Sequence, residues 1–104
     1  MPSLFTKIIN KEIESDILYE QDNLIVIKDI NPRAKIHLLI IPKKEIQTLN
    51  DLQEEDNLIL IEMFKVAKKL ASDLWISDWY KLFFNVWKEY QDVMHIHMHL
   101  LSDL

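Results

Sequence analysis

The fold turns on the stretch His95-Ile96-His97-Met98-His99-Leu100-Leu101. Apolar residues alternate with imidazoles, the period-two pattern of a β-strand. In a strand His95, His97 and His99 share one face, with neighbours roughly 6.5–7 Å apart. Ile96, Met98 and Leu100 share the other face and pack into a core. A one-residue slip would exchange the two sets, so the register is tightly specified. The strand is read as Val93 to Leu101. The chain has four histidines, and only His37 lies outside this stretch.

Working outward, Tyr80 to Val86 reads as the preceding strand, with a polar loop from Lys88 to Asp92 between the two. Upstream lies one long amphipathic helix. Asn50 or Asp51 supplies its cap. Leu60, Phe64, Ala67, Leu70, Ala71 and Leu74 form an apolar stripe at three- and four-residue steps. Ile36 to Ile41 is a continuous apolar run, the mark of a strand covered on both faces, and Pro42 ends it. Ile17–Glu20 and Leu24–Ile27 are strand-like, joined by a turn at Gln21-Asp22-Asn23. Leu4 to Ile9 reads as a short helix. The order implies an α+β domain. Its mostly antiparallel five-stranded sheet carries one long helix on a face and a short N-terminal helix.

The 104 residues fit one domain, read as about residues 4–104, and suffice to bury a core without disulfides. There is no cysteine, which excludes disulfides, a thiolate nucleophile and Cys-ligated zinc. Net charge is −5, with basic residues scattered. An electrostatic nucleic-acid surface is therefore not expected. No apolar run approaches the ~20 residues of a membrane span, and no secretory signal is read at the start. The expected location is the cytoplasm. Glycine is absent, where average usage of roughly 7% would supply several.

Two chemistries use a row of imidazoles. They can ligate a metal, His-x-His being a common pair. Alternatively, one neutral imidazole attacks phosphorus covalently while its neighbours hold the tautomer, bind phosphate oxygens and protonate the leaving group. No carboxylate falls on the motif strand before Asp103, which favours the second. Taken alone, Asp29 reads as a turn cap before Asn31-Pro32, and Asn85 as a turn residue at a strand end.

The pattern His-φ-His-φ-His-φ-φ (φ apolar) resembles the signature of the histidine triad family of nucleotide hydrolases and transferases. Further segments are similar to that family in the same order. They are Leu4-Phe5-Thr6-Lys7-Ile8-Ile9, Lys28-Asp29-Ile30-Asn31-Pro32, the strand Ile36-His37-Leu38-Leu39-Ile40-Ile41-Pro42-Lys43-Lys44, and Asn85 with Gln91-Asp92-Val93. The details most resemble the Hint branch, small homodimeric purine nucleoside phosphoramidases. The resemblance implies a purine nucleotide or nucleotide conjugate as partner, a homodimer, and no metal or other cofactor. His97 would be the nucleophile on the α-phosphorus, giving a nucleotidyl-histidine intermediate. His99 would contact the phosphate and help the leaving group depart, while His95 and His37 shape the site. Asp29 would bind the ribose hydroxyls, with Phe5, Ile27 and Ile30 lining the base and sugar pocket. Asn85, Gln91 and Asp92 would surround the phosphate. Some bacterial members carry a Cys-x-x-Cys zinc site where this chain has Ser3 and Thr6. A catalytically weak nucleotide-binding or adaptor protein of the same fold is the alternative.

The resemblance also places glycine where this chain has Trp75, Trp79 and Trp87, its only tryptophans, and at Tyr90. Position 75 would be a helix C-cap that favours φ > 0. Position 87 would lie beside the phosphate, where a close backbone approach leaves no room for a side chain. The tryptophans are accordingly read as non-native choices, from UGA codons that the source genome decodes as glycine or from a deliberate glycine-free redesign.

Overall fold

The computed structural model describes residues 2–87 and 89–104. Helix α1 (Leu4–Ile9) is followed by strands β1 (Ile17–Gln21), β2 (Leu24–Lys28) and β3 (Ile36–Pro42). Helix α2 (Asn57–Asp73) and strands β4 (Lys81–Phe83) and β5 (Met98–Ser102) complete the order. The five strands form one sheet in the order β1-β2-β3-β5-β4, and each neighbouring pair is antiparallel.

Alternation within β2, β3 and β5 splits the apolar residues between two faces. Leu24, Val26, Leu38, Ile40, Met98 and Leu100 point to α2, where Met63, Val66, Ala67, Leu70 and Ala71 meet them. Ile25, Ile27, Leu39 and Ile41 point the other way and pack on Phe5 and Ile8 of α1. Covering both faces explains the unbroken apolar runs in β2 and β3. On β5 this parity sends His99 to the α1 face, the opposite side from Met98.

The histidine stretch departs from a regular strand. Strand β5 begins at Met98, so His95 and His97 precede it and only His99 belongs to the ladder. Pairing with β3 ends at Ile40 opposite Met98, and pairing with β4 ends at Phe83 opposite His99. Beyond these points the chain turns off, with the Ile96 N–H bonded to the Ile46 carbonyl (2.7 Å). Likewise β4 covers Lys81–Phe83 rather than Tyr80 to Val86. Of the loop expected at 88–92, Lys88 lies outside the described residues.

Helix α2 starts later than the Asn50 or Asp51 expected from its caps. Those caps serve shorter turns. Asp51 accepts from the Thr48 N–H and closes the 3-10 turn Leu49–Asp51. Asp56 accepts from the Gln53 N–H and closes the 3-10 turn Glu54–Asp56. Short polar side chains compete in this way for the backbone that a longer helix would need. The buried stripe is also rotated. Met63 and Val66 face the core, and Phe64 is 50% exposed.

Among the described residues three non-glycine positions have positive φ: Lys11 (65°), Trp75 (63°) and Trp87 (70°). Trp75 closes α2. Its N–H bonds to Ser72 O and that of Ile76 to Ala71 O, the double bond pattern that requires a left-handed residue between.

Candidate active site

Helix α1, the β2–β3 corner and the lead-in to β5 converge on the sheet face opposite α2. There a cavity of about 270 Å³ opens, lined by Phe5, Ile8, Ile13, Ile27 and Leu39 on its apolar side. Asp29, Asp92, His97 and His99 supply its polar wall, and the 87%-exposed Ile30 stands at its rim.

The hydrogen bonds fix each imidazole's tautomer. His97 Nδ1 lies 2.8 Å from the His95 carbonyl, which can only accept, so Nδ1 carries the hydrogen. Its Nε2 therefore holds a lone pair. Among the described residues no protein group bonds to that atom, and since no fully buried polar atom is left unpartnered, Nε2 is open to the cavity. Phe5 stands edge-on to the His97 ring with centroids 4.9 Å apart.

His37 and His99 form a directed relay. The Arg33 N–H donates to His37 Nδ1 (3.1 Å), leaving the hydrogen on Nε2. That Nε2–H reaches His99 Nδ1 (2.9 Å) and also faces Asp29 Oδ2 (3.3 Å). His99 Nδ1 is thus an acceptor, and its Nε2–H is the outward donor. Asn85 Nδ2 sits 3.4 Å from that Nε2; with the hydrogen on Nε2, the amide takes the flipped orientation in which its oxygen accepts. Phe83 stacks flat on His99, with centroids 4.7 Å apart and planes 3° apart.

Burial pushes all four imidazoles below their ordinary titration range of about 6.5. For His99, burial comes first and the neighbouring His97 and His37 add to it, bringing it down to about 4. The His37–Asp29 contact is therefore the close approach of a carboxylate to a neutral ring N–H rather than an ion pair. Asp29 Oδ1 also accepts from the Asn31 N–H (2.9 Å), so this residue both caps its turn and faces the histidines.

Asp29, His37 and His99 bring ligand-type atoms within 4.8 Å of one another. A metal would need a lone pair on His37 Nε2. The Arg33 N–H on Nδ1 assigns that atom a hydrogen instead, so the set fits a proton relay better than an ion. The other expected site residues divide. Phe5, Ile27, Ile30, Asp29, Asp92, His97 and His99 line the cavity, and Asn85 stands behind His99. His95 is fully buried, held by Pro42 O on Nε2 and Ser3 Oγ on Nδ1, both 2.7 Å. Gln91 is a loop staple. Its amide donates to Gln47 O and Val93 O and accepts from the Trp87 N–H. Sequence patterns did not mark Arg33, Phe83 or Glu45, whose Oε1 accepts from the Ser3 N–H and the Thr6 O–H. Arg33 acts through its backbone, which leaves no side-chain signal. Phe83 was legible as a strand residue opposite a histidine once the register was known.

The family model described as "Scavenger mRNA decapping enzyme C-term binding" matches residues 2–104, and the histidine signature falls inside it. The chain belongs to the histidine triad family. This histidine triad protein is 45% identical over 102 residues to the purine nucleoside phosphoramidase of Escherichia coli K12, covering 96% of this chain and 86% of that one. It is 43% identical over 103 residues to an uncharacterised HIT-like protein of Chlamydia muridarum, covering 98% and 82%. Its structure superposes on that of a HIT family hydrolase from Legionella pneumophila with a TM-score of 0.95, at 43% identity, covering 99% of this chain and 94% of the other.

Proposed function

We propose that this histidine triad protein is a nucleotide hydrolase or transferase that cleaves a purine nucleoside phosphoramidate, or a related conjugate, at the α-phosphorus. The observation that carries this reading is His97: its Nδ1–H is committed to the His95 carbonyl, and its Nε2 lone pair is open to the cavity. Its similarity to the Escherichia coli phosphoramidase supports the substrate class.

The apolar wall around Phe5 and Ile27 takes the base, and Asp29 the ribose hydroxyls. His97 Nε2 attacks phosphorus, forming a P–N bond as the bond to the leaving amine breaks. The amine leaves with a proton that its nitrogen takes from solvent, while the His99 Nε2–H hydrogen-bonds a phosphate oxygen and steadies the departing group. The imidazolium character that builds on His97 is met by the His95 carbonyl at Nδ1, a group aligned before reaction. Water then attacks phosphorus, its proton passes to solvent, and the P–N bond to His97 breaks, releasing the nucleoside monophosphate and restoring the His97 Nε2 lone pair. Burial keeps His97 neutral at pH 7, the form that has a lone pair to give.

The test is turnover of adenosine 5′-phosphoramidate by wild type and His97→Ala. Loss of at least about a thousandfold in the variant, with nucleoside monophosphate still bound, supports the reading; undiminished turnover sinks the mechanism. A nucleotide-binding protein without turnover is the second reading. Wild type that binds the monophosphate and never cleaves the phosphoramidate would select it. The edge position of β4 among the described residues and the exposed Leu58, Ile61 and Phe64 of α2 support a homodimer; a sedimentation mass of one chain would refute the dimer.

A further inference from the structure

Ser3, at the start of the chain, reaches the histidine cluster. It is the N-cap of α1, accepting from the Thr6 N–H (3.0 Å). Its hydroxyl also lies 2.7 Å from His95 Nδ1. His95 Nε2–H is committed to the Pro42 carbonyl, so Nδ1 holds a lone pair and the Ser3 O–H donates to it. Behind this sits Glu45, just past β3. Its Oε1 accepts from the Ser3 N–H and the Thr6 O–H, both 2.6 Å. Those bonds hold the carboxyl down at about 2, so it remains a charged acceptor throughout the working range. The same short helix carries Phe5, which stands edge-on to both His95 and His97.

These contacts form one path. Glu45 fixes the first turn of α1, Ser3 fixes the Nδ1 side of His95, and the His95 carbonyl fixes the Nδ1–H of His97. We propose that Ser3, Thr6 and Glu45 are positioning residues: a hydrogen-bonded clasp between α1 and the end of β3, acting with the Pro42 carbonyl on the other side of the ring, holds His95 in one tautomer and orientation and, through it, the aim of His97 Nε2. None of the three touches the substrate in this role. Its kinetic consequence rests on the function proposed above; its structural consequence does not.

The experiment is ¹⁵N NMR of the histidine rings in wild type, Ser3→Ala, Ser3→Thr and Glu45→Gln at pH 7, with single-turnover kinetics alongside. Wild type should show single tautomers, Nε2–H for His95 and Nδ1–H for His97. Ser3→Ala and Glu45→Gln should mix them, and Ser3→Thr, which keeps the hydroxyl, should restore them. The chemical step should slow about tenfold in the first two variants, with KM within about twofold, as expected for misaligned rather than missing binding. Unchanged tautomers in folded Ser3→Ala and Glu45→Gln overturn the proposal. So does a rate loss in Ser3→Ala that Ser3→Thr fails to rescue. If wild type has no turnover, the functional reading fails, and the tautomer spectra still decide on the clasp.

A second inference rests on composition and backbone geometry together. The chain has no glycine and three tryptophans. Two of those three stand at positive φ, Trp75 in the left-handed position that ends α2 and Trp87 in the loop before His95. All three are exposed, Trp75 by 89%. Left-handed backbone is costly for a residue with a β-carbon and free for glycine. We propose that codons 75, 79 and 87 are UGA and are read as glycine in the cells that carry this gene. Tandem mass spectrometry of the protein from those cells should find glycine at all three positions; tryptophan there, or UGG in the gene, overturns the proposal. Trp75→Gly and Trp87→Gly made in the present sequence should each raise the melting midpoint by about 4 °C. A lowered midpoint in both contradicts the glycine-like geometry.

Discussion

His99 has a stacked phenyl ring on one side, a second imidazole bonded to its Nδ1, and Asp29 nearby. Its titration near 4 has a consequence for stability. In the unfolded chain this ring binds a proton near 6.5, whereas in the folded chain it does not until about 4. The unfolded state therefore holds more protons in that window, and stability falls as pH drops through it. The contribution is fully present above about 6.5. His37, His95 and His97 are shifted in the same direction by burial and add to the loss. Urea unfolding should show stability decreasing from pH 7 to pH 5, by up to about 1.4 kcal/mol per pH unit for each histidine involved. His99→Gln should reduce the slope. Stability that is flat across that range would contradict the buried neutral assignment. At this scale the sequence was only partly legible. Asp29 reads as a turn cap from its neighbours, and the structure shows that one oxygen does cap the turn while the other faces His37. No local pattern could reveal the second contact, because it depends on where β3 is laid beside β2.

Among the elements, β2 and β3 were the most legible. Their unbroken apolar runs require cover on both faces, and α2 and α1 provide it. Helix α1 matched its expected span, Leu4–Ile9. The histidine stretch was legible in its parity but not in its extent. Met98 and Leu100 do point to α2, yet the strand starts only at Met98 because both neighbouring strands stop pairing there. Alternation describes side-chain faces and carries no information about where a partner strand ends. Helix α2 shows the same limit. Thr48, Asp51 and Asp56 are good capping residues, but they cap two 3-10 turns ahead of the helix proper. The exposed Phe64 belongs to the face away from the sheet, which Met63 and Val66 take instead.

At the scale of the whole molecule, the sheet separates two tasks. On one face α2 closes the larger apolar core. On the other, the smaller cluster around Phe5 and Ile25 leaves a cavity with the histidines at its wall. Thus β3 serves both, carrying Leu38 and Ile40 inward to α2 and His37 to the relay. The similarity of the chain to its relatives extended over most of its length, so the overall fold was readable from the order of several short motifs. The asymmetry among the histidines was implied by the family resemblance alone, since strand alternation makes the three equivalent, and the hydrogen bonds give it a physical basis. His95 is buried, His99 donates, and His97 alone lines the cavity with an uncommitted nitrogen. That asymmetry is the central claim, and rapid quench of the wild-type protein with adenosine 5′-phosphoramidate, followed by peptide mass spectrometry, tests it most directly. A nucleoside monophosphoryl group should appear on His97 within the first turnover and decay as monophosphate is released. A covalent group on His95 or His99, or product formed with His97 never modified, would contradict it.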